Sequence, residues 1–130
     1  MKYGYTIIYV ASVAETLTFY KKAFGFDLKF MHESKAYGEL QTGETTLAFA
    51  SHDMGDMNLG GKYAKATIHD KPFGIELAFV TEDVSAAYEK AVSAGALPIK
   101  EPQEKPWGQV VGYVRAVDGS LIELCSPMSS

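Results

Sequence analysis

The residues best suited to chemistry lie close together near the end of the chain. They are Trp107, Arg115, Glu123 and Cys125, and the first, second and fourth are the only Trp, Arg and Cys in the sequence. Glu123 stands inside the apolar run LIELC. Side chains of a strand alternate between faces, so Leu121, Glu123 and Cys125 point one way and Ile122 and Leu124 the other. A carboxylate in apolar company needs water, a partner or a proton. Glu123 therefore reads as a polar anchor or a base at the mouth of a site. Cys125 shares its face, but no His is placed to activate a thiol, and a small buried hydrophobe accounts for it. Arg115 reads as the partner of a neighbouring carboxylate, with an anionic ligand as the sharper alternative. His52, Asp53, Asp56, His69 and Asp70 gather in one polar stretch, yet their spacings match no closed metal motif. His32 reads as a surface residue at a strand end.

The elements that must position these groups follow from periodicity and punctuation. Residues 5–10 (YTIIYV) predict a buried strand. Ser12 caps a helix whose Val13, Leu17, Tyr20 and Phe24 recur at helical spacing, and Gly25 ends it. Residues 26–32, 37–41 and 45–50 predict strands, with a turn at Thr42-Gly43. Residues 51–73 lack steady periodicity and read as a linker or lid. A strand at 74–80, a helix capped by Asp83 and ended by Gly95, and a short strand at 97–100 come next. A Pro-interrupted loop then leads to Trp107, a strand at 110–116, a turn at Asp118-Gly119 and the strand 121–125.

The same order of elements occurs twice. Val10 aligns with Val80 and Gly25 with Gly95, both 70 apart, and Gly43 aligns with Gly119, 76 apart. An internal repeat of this kind organises the whole fold. Module one spans about 3–51, the linker 52–73 and module two about 74–127, together one domain of 130 residues. The 47% apolar and 22% charged content is ordinary for a globular chain, and a net charge of −4 without a basic stripe argues against nucleic-acid binding. One Cys allows no internal disulfide and fits a reducing, cytoplasmic setting. Only Lys2 precedes the apolar run at 5–13 and Glu15 follows it, so that run reads as strand and helix start, not as a leader. No run is long enough for a membrane span.

With YV, L-x-FY-x-x-x-FGF in the first half and DVSAAYEKAVSAGA and DGSLIEL in the second, the chain resembles the vicinal oxygen chelate superfamily. That superfamily includes glyoxalase I, the bleomycin-resistance proteins, the fosfomycin-resistance enzymes and extradiol dioxygenases. The resemblance implies an α+β fold of two tandem βαβββ modules, a curled mixed-sheet cup with helices outside, and a homodimer. It also implies that the enzymes hold a divalent metal on the first and last strands of each module. Glu123 matches the last-strand position of module two. Its repeat counterpart is Leu47, and the first-strand positions are Tyr5 and Ile75, where His is usual in glyoxalase I. A shift of one residue would bring Glu76 to the ligand position, at the cost of the alternation of Ile75, Leu77 and Phe79. Borderline and hard divalent ions need three or more N/O ligands, so no metal or other cofactor is expected and the branch without metal is the better match.

What the cup then offers is an apolar lining with few polar anchors, the usual build of a small-molecule site. The expected lining is Tyr5, Ile7, Tyr9, Leu47, Phe49, Ile75, Leu77 and Phe79, with Trp107 near the mouth and Glu123 as anchor. Aromatic faces and a carboxylate favour an aromatic or cationic organic molecule. The expected function is therefore binding or sequestration of such a molecule, not catalysis. The alternative is a metal-dependent glyoxalase-like lyase, isomerase or dioxygenase using Glu123.

Overall fold

The structure, a computed structural model, describes residues 1–128. The chain divides into two compact units, Met1–Ala66 and Thr67–Ser130.

In the first unit the chain runs β1 (Tyr5–Val10), α1 (Val13–Phe24), β2 (Leu28–Met31), β3 (Tyr37–Leu40), β4 (Thr46–Ser51) and α2 (His52–Leu59). The strands form one mixed sheet in the order β1-β4-β3-β2, with β1 parallel to β4 and the other pairs antiparallel. Helix α1 starts where Ser12 Oγ accepts the Glu15 N–H at 3.2 Å, and it ends where Gly25, at φ 79°, donates to the Lys21 carbonyl. Its apolar stripe packs on the sheet, with the Tyr20 ring 4.8 Å from that of Phe49. Gly38 permits this approach, because a Cβ there would stand 2.6 Å from Leu17 Cδ1. Fully burying each such large side chain contributes about 1.5–3 kcal/mol.

The stretch read as a linker contains helix α2. Its signal is in its ends, not in periodicity: Ser51 Oγ accepts the Met54 N–H, and Gly60 closes the helix at φ 59°. Tyr63 holds it in place. Its hydroxyl lies 2.9 Å from His52 Nδ1, its ring is 5.1 Å from that of Tyr9, and it fills the space a side chain at Gly55 would need.

The second unit runs β5 (Glu76–Val80), α3 (Val84–Ser93), β6 (Leu97–Glu104), β7 (Val110–Arg115) and β8 (Leu121–Cys125), in the sheet order β5-β8-β7-β6. Both sheets thus share one topology, an α+β arrangement of two open mixed sheets. Asp83 caps α3 by accepting the Ala86 N–H at 3.1 Å. Strand β6 continues to Glu104 through Pro102, in the stretch whose prolines suggested a loop. It is an edge strand with two register shifts, so prolines that lack an N–H are tolerated there. No described helix is long and apolar enough to cross a membrane.

Arg115 is buried, and it pairs with backbone instead of the expected carboxylate. Its Nε and Nη2 donate to the Gly119 carbonyl, Nη2 also to Thr67, and Nη1 to Ile68 and Asp70, at 2.7–3.3 Å. All five guanidinium N–H groups are satisfied in this way. Gly119, at φ 97°, allows the close approach, since a Cβ there would lie 2.8 Å from the Thr67 carbonyl carbon. The start of the second unit is therefore strapped to its own β7–β8 turn.

Candidate functional site

Strand register decides which side chains leave a sheet together. In the second unit Glu76, Ala78 and Val80 of β5 lie opposite Leu121, Glu123 and Cys125 of β8. Those in turn lie opposite Arg115, Tyr113 and Val111 of β7. At the β5 edge this face is open: Glu76, Ala78 and Val80 are all exposed. The other face, with Ile122, Leu124 and Val114, is buried.

Two carboxyl groups meet on the open face. Glu76 and Glu123 share a hydrogen bond, and Tyr113 donates its hydroxyl to Glu123 Oε1 at 3.2 Å. Two carboxylates cannot hydrogen-bond without a proton between them, so the Glu76 carboxyl is held above its ordinary range, first by that bond and then by burial and the Glu123 charge. Burial, then the Glu123 charge, raises Tyr113 as well. The Cys125 thiol is buried, touches the Glu123 carboxyl and is pushed up to about 11, chiefly by desolvation. It lies 3.7 Å from the Phe79 carbonyl and remains a thiol. Neither carboxyl is in an ion pair among the described residues.

The open face of the first unit is built differently. Tyr5, Ile7 and Tyr9 of β1 lie opposite Thr46, Ala48 and Ala50 of β4, which lie beside Glu39 and Tyr37 of β3. Tyr5 and Ile7 are 59% and 44% exposed, and Phe30 adds an exposed ring. Tyr37 donates to Glu39 Oε2 at 2.6 Å, while Lys29 Nζ lies 4.0 Å from Glu39 Oε1 and donates to Thr46 Oγ1 at 3.3 Å. Burial, then the bond to Glu39, raises Tyr37.

Four of the expected lining residues are elsewhere. Leu47 and Phe49 pair with Thr6 and Ile8, on the helix side of the first sheet, where both are buried beneath α1. Leu77 and Phe79 pair with Ile122 and Leu124, away from Glu123. Ile75 is exposed and precedes β5, and the face of Glu123 is completed by Glu76 and Ala78 in place of Ile75 and Leu77. Tyr5, Ile7 and Tyr9 do share an open face, that of the first unit. Trp107 is 59% exposed in the turn between β6 and β7 and donates to Gln109 Oε1. The cause is a slip of one residue. One residue separates β1 from its helix cap and two separate β5 from Asp83, so faces match Tyr5 with Glu76 and Ala48 with Glu123. The sequence did hold a signal for Glu76: with Leu77 and Phe79 available for the helix side, the smaller and polar set is left to face outward. Tyr113 follows only from the β7–β8 register.

The polar stretch does not form a centre either. His52 bonds Tyr63 and Asp56 pairs with Lys65 at 3.5 Å, while Asp70 accepts from Thr67 within the second unit. His32 Nδ1 bonds Ser34 Oγ on the surface. Among the described residues no group of three or more His, Cys, Asp or Glu could hold a metal ion. Glu76 and Glu123 supply two carboxyls, Cys125 is buried with its thiol pushed up to about 11, and the matching positions in the first unit are Tyr5 and Ala48. This donor set does not fit the divalent metal that the resemblance implies, and neither glutamate is assigned as a ligand.

Comparison with known proteins places this geometry. The family described as Glyoxalase/Bleomycin resistance protein/Dioxygenase superfamily matches residues 2–124. No curated protein matches the chain. Among solved structures, a glyoxalase-related enzyme from Fulvimarina pelagi is similar at a TM-score of 0.83 and 19% identity, covering 98% of this chain and 88% of that one. A glyoxalase/bleomycin resistance protein/dioxygenase family enzyme from Burkholderia phytofirmans PsJN gives 0.76 at 20% identity, covering 95% and 96%. A hypothetical protein from S. aureus gives 0.81 at 16%, covering 98% and 95%. At these identities the likeness is one of fold.

Proposed function

The chain belongs to the Glyoxalase/Bleomycin resistance protein/Dioxygenase superfamily, and from that premise we propose that it binds a small cationic or aromatic organic molecule on an open sheet face, with Glu123 as the polar anchor. The observation that supports this reading is the Glu76–Glu123 pair, one carboxyl on the exposed edge strand β5 and the other half-buried on β8 beside it, with no cationic side chain paired to them among the described residues. Ala78, Val80 and Leu121 around them are apolar and suit the body of such a ligand. An ammonium group would stand between the two carboxyls and donate a charge-assisted hydrogen bond. The test is titration calorimetry with aromatic amines and their neutral isosteres. Glu123→Gln keeps the shape, so it should weaken the amines about tenfold or more and the neutral molecules far less. Equal loss for both classes would refute the anchor role.

Sequestration without catalysis is the proposed role. A metal-dependent lyase, isomerase or dioxygenase lacks support from the donor set. Elemental analysis showing one zinc, nickel or iron per chain, lost in Glu123→Gln, would replace the binder with that enzyme. We propose also that two copies associate, because Tyr5, Ile7, Phe30 and Val80 expose more apolar sheet surface than a monomer usually tolerates. Sedimentation at micromolar concentration should give a dimer. The single buried Cys supports a reducing compartment such as the cytoplasm.

A further inference from the structure

The four strands of the second sheet carry only two cationic side chains, Arg115 on β7 and Lys100 on β6. Arg115 spends its five donors on the carbonyls of Thr67, Ile68, Asp70 and Gly119, which leaves Lys100. Register pairs Lys100 with Tyr113, Tyr113 with Glu123 and Glu123 with Ala78, so one row crosses the sheet from β6 to β5. Directly opposed residues share a face, which puts Lys100 on the open face with Glu123. Its neighbour Glu101 agrees: with Pro102 it lines a cleft against Ser85, Tyr88 and Glu89 of α3, on the helix side, and successive strand residues alternate. Lys100 is exposed and in no ion pair among the described residues. It stands two strand spacings from Glu123, about 9–10 Å between backbones. Half-buried Tyr113 occupies the step between them and donates to Glu123 Oε1 at 3.2 Å. The first sheet shows what this spacing prevents. There edge strand β2 takes the place of β6, and its Lys29 comes within 4.0 Å of Glu39 on the adjacent strand. In the second sheet the carboxyl is one strand further off, and ammonium and carboxyl remain apart on one face.

We infer that Lys100 is a second anchor and that the ligand is an organic zwitterion, its ammonium toward Glu123 and its carboxylate toward Lys100. The inference rests on the proposed anchor role of Glu123 and adds the chemical class of the ligand. A flat body between the two charges spans Tyr113, whose ring offers it an aromatic face. A simple amine leaves Lys100 unmatched, and a simple anion meets the two carboxyls. The two ends of the row therefore select together for a molecule that carries both groups, well separated.

The experiment is titration calorimetry on the full chain with two probes. One is para-(aminomethyl)benzoate, whose charges lie at opposite ends of a ring. The other is para-(aminomethyl)benzamide, which has the same shape and no negative charge. The natural protein should bind the benzoate about fivefold more tightly than the amide, the size of an exposed ion pair. Lys100→Met keeps most of the aliphatic stem and should abolish that preference without changing amide binding. Lys100→Glu should reverse it. Glu123→Gln should weaken both probes and leave their ratio as it was, which keeps the two anchors distinguishable. Amines that bind through Glu123 with no preference for the benzoate, or a preference that survives Lys100→Met, would overturn the zwitterion and leave the anchor role of Glu123 standing. Failure of both probes to bind the natural protein would overturn that role and the zwitterion with it.

Discussion

Glu39 and Glu123 stand on the open faces of two sheets with one topology, and each accepts a hydrogen bond from a tyrosine. Their next neighbours differ. Beside Glu39 the irregularity of edge strand β2 brings Lys29 to 4.0 Å, so charge is balanced within the first unit. Beside Glu123 edge strand β5 brings a second carboxyl, so the balance is left to a proton or to a ligand. The comparison teaches that two sheets of one topology can each hold a tyrosine-bound carboxyl on the open face, from β3 in one and from β8 in the other, while the neighbouring edge strand decides whether its charge is balanced. The helix-side faces show no such divergence, since both are filled by apolar groups.

The strongest way to break this division into helix side and open side is Phe49→Ala. Phe49 is fully buried against Tyr20, so the variant should lose about 3–5 kcal/mol in urea unfolding. Loss of ligand binding with stability intact would instead put Phe49 on the open face. Next in size is Arg115→Met, which takes the guanidinium donors away from the carbonyls of Thr67, Ile68 and Asp70 and leaves Thr67 only the Asp70 N–H. About 3 kcal/mol should go, together with faster cleavage within residues 67–74 by a protease of broad specificity.

Two pH dependences of opposite sign sharpen the contrast. The Glu76 carboxyl is raised, so the folded chain binds that proton more tightly than the unfolded one. The stabilisation is complete below the ordinary carboxylate value and is lost as pH rises through the folded value. Glu76→Gln should flatten this slope and be the more stable protein at neutral pH, by about 1 kcal/mol at most for so exposed a group. In the first unit His52 is lowered, first by burial and then by Lys65. There the unfolded chain binds the proton more tightly, so stability rises with pH up to about 6.5, and His52→Gln should remove that rise. Both slopes are read from urea midpoints between acid and neutral pH. The smallest effect is that of Lys29→Met, which unbalances Glu39 on a solvent-facing edge and should cost under about 0.5 kcal/mol.

Much of the fold could be read directly. Helix starts at Ser12 and Asp83, glycine stops at Gly25 and Gly95 and the Asp118-Gly119 turn all depend on residues within a few positions of one another, so composition at those points decides them. The repeat of strand, helix and three strands follows from their order. Helix α2 was missed because its caps are present but its apolar stripe is not. The site was legible only in part. Glu123 stood out as a carboxylate in an apolar strand, and its face on β8 was fixed by alternation alone. Its neighbours depended on pairing between strands distant in sequence, where one extra residue before Asp83 exchanges Leu77 for Glu76 and turns every side chain over. Tyr113 and the Arg115 strap have the same origin. The sequence determined which elements form and where each begins and ends, because those preferences are local. Tertiary structure alone decided that a second carboxyl meets Glu123 and that the only arginine turns to the backbone, because register is set by whole sheets packing against their helices.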